Sequence, residues 1–269
     1  MVASEPGRDE PAVALERIGD GGVTVIGFTR PGKRNALRPV EWDRLGELIR
    51  QCRQDPSVRA VVITGHGGAF SAGFDLHWNE GNPAGSALPI VHRAILDIYR
   101  CPKPVLAAVE GCCVGAGWAL ALACDLVVAG QDAFFEPPFA ARGLVPDAGI
   151  AWFLEQCVGR YETARLLWFD GRLTASQAAA RGLVTEVTEN LATLDRASEL
   201  AARLAAHPAR SVAVAKATLR HAHGVSLETA LDAEHVHVAH NAADDEVRQS
   251  RSFFVADLGR RAPAGQPGS

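Results

Sequence analysis

The chain of 269 residues has a formal net charge of −4, with 48% hydrophobic and 22% charged residues. That suits one large globular domain, or one domain with a helical appendage, and allows a sizeable core. No Lys/Arg cluster points to nucleic acid. The longest apolar run, Ala119 to Ala129, is too short for a membrane span and is broken by Asp125.

The opening MVASEPGRDEPA (1–12) lacks the basic-then-apolar order of a signal peptide and reads as a disordered leader. GGVTVIGFTR (21–30) is a strand by its β-branched residues. RPVEWDRLGELIRQCRQD (38–55) repeats Val40, Leu45, Leu48, Ile49 and Cys52 at helical spacing. VRAVVITG (58–65) reads as a buried strand, ALPIVHRAILDIYR (87–100) as a helix and PVLAAVEG (104–111) as another buried strand. GWALALAC (117–124) follows Gly-Ala-Gly and suits a short buried helix, after which DLVVAG (125–130) returns to strand. This alternation predicts an α/β core over residues 13–190. Beyond it the sequence is helical by composition and period, with breaks at Pro208 and near Gly224. A helical region over 191–258 and a disordered tail over 259–269 follow from that reading. The six cysteines lie mostly within apolar runs, which predicts reduced core thiols and a cytoplasmic protein. His235, His237 and His240 form no HxxxH pair, so no metal site is expected.

Two stretches carry most of the chemistry. GGAFSAGFDL (67–76) and EGCCVGAGWALAL (110–122) each follow a buried strand and end in a tight turn of small residues. Loops in that position present backbone N–H groups to ligands. The second leads into a helix, whose first amides are unpaired and favour negative charge. Two such amides converging on one oxygen would form an oxyanion hole. GCCVGAG lacks the GxGxxG spacing of a dinucleotide site.

RPGKRNAL (30–37), VVITGHGGAFSAGFDL (61–76), KPVLAAVEGCCVGAGWALALACDLVVA (103–129) and GRLTASQAAARGLVTEVT (171–188) together resemble the enoyl-CoA hydratase/isomerase, or crotonase, superfamily. The resemblance runs in order over about residues 20–255. It implies a spiral of ββα units with a helical C-terminal region that builds a homotrimer or a dimer of trimers. It also implies an acyl-CoA thioester substrate, with no cofactor beyond the coenzyme A that the substrate carries. By motif position the two thioester-binding amides are those of Phe74, after Ala72-Gly73 and before Asp75-Leu76, and Ala116, between Gly115 and Gly117. RNAL matches the segment lying along CoA, with Ala36 as a backbone contact and Lys33 and Arg34 near the phosphates. His77, Glu80 and His92 fall in the segment that closes the acyl pocket of relatives; each is a second acid or base, or a solvated residue.

The two glutamates used by the family's hydratases are absent. Their positions hold Ala119 and Phe139, and neither moves a proton. Eight positions beyond Phe139 stands Asp147, in ARGLVPDAG. That segment is similar to the ring-epoxide isomerases of phenylacetyl-CoA breakdown. Dienoyl-CoA isomerases and 4-chlorobenzoyl-CoA dehalogenases also place a catalytic Asp there, as base or as nucleophile. Asp147 equally suits the N-cap of a helix beginning in AGIAWFLEQCV, and the two roles are compatible. A single carboxylate suffices for an isomerase, which removes a proton at one carbon and returns it at another. An atypical hydratase, a CoA-thioester hydrolase or dehalogenase, and a non-catalytic acyl-CoA-binding protein stand as alternatives.

Overall fold

The computed structural model describes residues 11–18, 22–79, 82–83, 85–169, 171–222 and 224–261. It forms two compact units, one reaching to Ala205 and one starting at Ala206. The first contains β1 (Val13–Ile18), β2 (Val23–Phe28), α1 (Pro39–Gln54), β3 (Ala60–Gly65), α2 (Leu88–Arg100), β4 (Val105–Val109), β5 (Cys112–Val114) and α3 (Ala116–Ala123). It continues through β6 (Leu126–Gly130), β7 (Phe134–Glu136), α4 (Ile150–Trp168), β8 (Leu173–Thr174), α5 (Ala175–Ala179), β9 (Glu186–Thr188) and α6 (Thr193–Ala205).

Six strands make one sheet in the order β1-β2-β3-β4-β6-β9, parallel except for the antiparallel β1–β2 pair. A second sheet, β5-β7-β8, stands beside it. The inner strands β2, β3, β4 and β6 are covered on both faces, and their sequences are near-continuous apolar runs for that reason. Ile26, Phe28, Val61, Ile63, Val105 and Ala107 belong to a core shared with Trp42, Leu45 and Ile49 of α1, Ile98 of α2 and Leu120 of α3. Val25, Val62, Leu106, Ala108 and Val128, on the other face, meet Ala197, Ala201 and Ala205 of α6. This is the α/β crotonase-type architecture, with helices making up the C-terminal region.

Three boundaries differ from the sequence reading. Ala12 lies inside the fold rather than in a leader: it is buried, its N–H donates to Glu41 Oε1 at 3.3 Å, and its carbonyl accepts from Thr29 N–H at 3.0 Å. Residues 193–205, assigned to the helical appendage, form α6 and belong with the core, because the small stripe Ala197-Ala201-Ala205 lets this helix lie close on the sheet. The last helix runs to Arg261, past the expected helix end at 258. The leader over residues 1–10 and the tail over 262–269 lie outside the described residues.

The second unit consists of α7 (Ala209–His221), α8 (Leu227–Ala242) and α9 (Asp245–Arg261). Leu231, Val236 and Val238 of α8 and Phe253, Phe254 and Val255 of α9 are exposed. In this unit His237 Nδ1 is hydrogen-bonded to Thr218 Oγ1 at 2.8 Å.

The α6 stripe gives a direct test. Ala201 is fully buried against the sheet, so Ala201→Leu forces extra methylenes into a filled layer. Urea denaturation of the variant is expected to show a loss of about 1–3 kcal/mol.

Candidate active site

The site lies at the carboxyl ends of β3 and β4, where open parallel sheets commonly hold ligands. The chain leaving β3 turns through residues 66–75. Within it, Leu37 N–H donates to Gly73 O at 2.8 Å, and Asp75 N–H donates to Leu37 O at 2.9 Å. Leu37 and Phe74 thus form a parallel bridge. In such a bridge Leu37 bonds the neighbours of Phe74, and the Phe74 N–H points the other way.

After β4 the chain passes through β5 into α3. Ala116 is the first residue of α3, and its N–H has no acceptor within the helix. Gly115, just before it, has φ 54° and ψ −121°. The two turns touch backbone to backbone. Gly73 has φ +88°, and a side chain there would place its Cβ 2.5 Å from Val114 O and 3.1 Å from Ala116 N. Only glycine fits, in conformation and in space.

Phe74 and Ala116 line one cavity of about 370 Å³ together with Asp147. Lys33, Arg34, Ala36, Ala72, Asp75, Leu76, His77, Gly115 and Phe139 line it as well. The structure therefore brings most of the sequence-derived residues together. Gly73 and Gly117 are not on the cavity wall; they let the two turns approach, Gly117 lying against Ser71 and Gly73 against Val114 and Ala116. His77 sits in the short 3₁₀ turn Leu76–Asn79, and its N–H donates to Asp75 Oδ1 at 3.1 Å. His92 lies on α2 and is exposed, and its charge acts on Asp147. Glu80 lies outside the described residues.

Asp147 does not cap α4. The N-cap position is Gly149, in left-handed conformation at φ 79°, with no side-chain cap bond. The extra turn through Ala148 and Gly149 places the helix start beyond reach of the carboxylate, while the Asp147 carbonyl accepts from Ile150 N–H at 3.0 Å. Asp147 Oδ1 is buried without a hydrogen-bond partner. Burial pushes the Asp147 carboxyl above its ordinary value, against opposing pulls from the His92 charge and from its own backbone amide. A carboxylate so placed is a stronger base than one in water, and Oδ1 keeps its lone pairs free.

Ala119 is fully buried within α3, and Phe139 is buried with its ring facing Gly115. Neither position supplies a proton carrier.

Several residues that shape the site escape a reading of spacing alone. Asn35 is fully buried at φ 52°. Its side-chain N–H groups donate to His66 O at 2.9 Å and Ala69 O at 2.6 Å, and its Oδ1 accepts from Arg30 N–H at 2.9 Å. Arg30 reaches on to Asp75 Oδ2 at 2.6 Å and to Ala36 O at 3.1 Å. These bonds fix the 30–37 loop against the turn at 66–75. The signal for Asn35 was its residue type, since Asn tolerates left-handed backbone and can bond it locally. Arg142 and Leu144 also line the cavity, in a segment without periodicity.

The chain matches the enoyl-CoA hydratase/isomerase family over residues 19–260. It is 31% identical to the 1,2-epoxyphenylacetyl-CoA isomerase of Escherichia coli over 90% of this chain and 94% of that protein. It is 38% identical to a probable enoyl-CoA hydratase of Mycobacterium tuberculosis over 74% of this chain and 78% of that one. Among solved structures, an enoyl-CoA hydratase from Polaromonas sp. JS666 superposes with a TM-score of 0.86 at 32% identity, covering 94% of this chain and 99% of that one. With matching motifs, fold and paired backbone turns, this chain belongs to the enoyl-CoA hydratase/isomerase family, whose members process acyl-CoA thioesters.

Proposed function

We propose that the protein is an acyl-CoA isomerase that works through a thioester enolate, with Asp147 as its single base. The observation that carries this reading is a half-buried Asp147, its Oδ1 buried and without a hydrogen-bond partner, sharing a cavity with the amide turns at Phe74 and Ala116, while Ala119 and Phe139 stand at the positions of both hydratase glutamates. The thioester oxygen would accept from the Phe74 and Ala116 N–H groups, which stabilise the charge that develops when an adjacent C–H loses its proton. Such donors are worth about 3–4 kcal/mol each in comparable holes. Asp147 takes the proton from one carbon and returns it to another, so no water need be activated. Lys33, Arg34 and Ala36 on the opposite loop suit the nucleotide end of CoA. Six free thiols suit a reducing cytoplasm.

A second reading has one specific observation in its favour. His92 acts electrostatically on Asp147, an arrangement that would also serve a nucleophilic Asp147 that displaces a leaving group such as halide from a carbon of the acyl group, forming an ester that water then cleaves. Intact-mass measurement during turnover separates the two, because only the nucleophile carries a mass increment.

Asp147→Asn is expected to lower turnover by at least about 10²–10⁴-fold, with acyl-CoA affinity nearly unchanged. Deuterium incorporation from D₂O into acyl-CoA probes, aliphatic and aromatic, measures the loss. Unchanged exchange in the variant would exclude Asp147 as the base. The same substitution should raise the melting temperature at neutral pH. A folded-state pKa lifted by burial makes this carboxyl's contribution full below its unfolded value and lost as pH rises through the folded one. Calorimetry should therefore find the gain at pH 7 shrinking as both proteins are acidified.

The working form of Asp147 is ionised, so kcat/KM should fall on the acid side. The midpoint should lie above 3.8, the ordinary carboxyl value. A pH–rate profile checks this, and a midpoint at or below the ordinary value would contradict it.

The assembly we propose is a homotrimer or a dimer of trimers. Phe253, Phe254 and Val255 on α9 and Leu231, Val236 and Val238 on α8 expose apolar surface that a neighbouring copy would cover. Light scattering at micromolar concentration should return three or six times the protomer mass; a stable monomer would refute the assembly.

A further inference from the structure

The polar groups of Ser71 join three segments around the cavity: the 30–37 loop, the 66–75 turn and β5. The residue is fully buried. Its backbone binds the β5 edge on both sides: Ser71 N–H donates to Cys112 O at 3.0 Å, and Val114 N–H donates to Ser71 O at 3.0 Å. Its hydroxyl donates to Asn35 O at 2.8 Å, in the loop beside Ala36, and accepts from Gly73 N–H at 3.0 Å, one residue before Phe74. Its side chain also lies against the second residue of α3. A Cβ on Gly117 would stand 2.8 Å from Ser71 O, 2.9 Å from Ser71 Cβ and 3.1 Å from Ser71 Oγ.

We propose that Ser71 is a positioning residue that sets the spacing and aim of the Phe74 and Ala116 amides. The hydroxyl fixes the first turn through Gly73, while the backbone of the same residue holds the strand that delivers Ala116. A serine meets the spatial and hydrogen-bonding demands together. Alanine strands the Gly73 N–H and the Asn35 carbonyl in a buried place. Threonine adds a methyl beside Gly117, where the two turns are already in contact. Cysteine keeps the shape but donates and accepts weakly. Because oxyanion donors act through their aim, a shift of about 1 Å can cost on the order of 100-fold in rate.

The inference rests on the enolate reading, so its test reads the thioester carbonyl directly. The probe is phenylacetyl-CoA labelled with ¹³C at the carbonyl. Its infrared stretch reports polarisation by the two amides, and its α-proton exchange in D₂O reports the rate. Wild-type protein is expected to lower the bound carbonyl frequency relative to free probe. Ser71→Ala should lose most of that shift and about 10–100-fold in exchange rate, with less than a threefold change in probe Kd. Ser71→Cys should fall between the two. Gly117→Ala, which pushes on Ser71 from α3, should give the same loss of shift if Ser71→Ala does not fold. A full shift in folded Ser71→Ala, or in folded Gly117→Ala, overturns the positioning role while leaving the enolate reading intact. No shift in the wild type overturns both.

Discussion

The close approach of two backbone segments, the turn at 72–74 and the start of α3, is the constraint from which the site is built. Any side chain at Gly73 would collide with the Val114 carbonyl and crowd the Ala116 amide, and its φ of +88° would be strained as well. Glycine removes both obstacles, so two peptide groups from distant parts of the chain meet with nothing between them. The donors on offer are then backbone N–H groups held by a bridge and a helix start. Such donors need no rotamer change as charge develops on a ligand, which gives preorganisation at little cost in entropy.

Backbone contact of this kind needs support from behind, and buried polar side chains supply it. Asn35 spends both side-chain N–H groups on carbonyls of the 66–69 segment. Arg30 bonds Asp75 and the Ala36 carbonyl at once, tying the 30–37 loop to the residue after Phe74. A buried charge is tolerated when paired and hydrogen-bonded, and Asp75 has both the Arg30 guanidinium and the His77 N–H as partners.

What could be read from the sequence follows the range of the forces involved. Strands β3, β4 and β6 were legible because burial on both faces makes them near-continuous apolar runs, β2 because of its β-branched residues, and α1 and α2 because their apolar residues recur at helical spacing. The short strands β5, β8 and β9 have too few residues to display a period; their positions follow from pairing with distant partners. Residues 193–205 look like any amphipathic helix, and only the sheet face they cover assigns them to the core. The glycine turns announced themselves by composition. Ser71 did not, since one hydroxyl in a small-residue turn has no periodic signature and its partners lie 36 residues upstream and two residues downstream. The N-cap expectation for Asp147 failed for a local reason: Ala148 and Gly149 both take positive φ, so the chain turns twice before α4 begins.

Asp75 and Asp147 line the same cavity and show how one residue type is given two fates. Asp75 is buried with both oxygens engaged, Oδ2 by the Arg30 guanidinium and Oδ1 by the His77 N–H. Both oxygens are thus committed to holding the first turn in place. Asp147 is driven the other way, with Oδ1 buried and unbonded. Burial opposes its charge, and the His92 charge and its own amide only partly offset that. Leaving Oδ1 of such a group unbonded costs folding energy, and helix capping does not repay it, because the N-cap of α4 is Gly149 and no side chain caps it. Strain retained at one position while an equivalent side chain nearby is fully satisfied is the pattern expected where chemistry, rather than stability, has set the environment. Replacing the hydratase glutamates with Ala119 and Phe139 sharpens the contrast, since it removes two other groups that would compete for the proton and leaves apolar atoms in their place. On the proposed reading, the work of proton transfer then falls to Asp147, the acid lining the cavity that, among the described residues, keeps a buried oxygen without a partner.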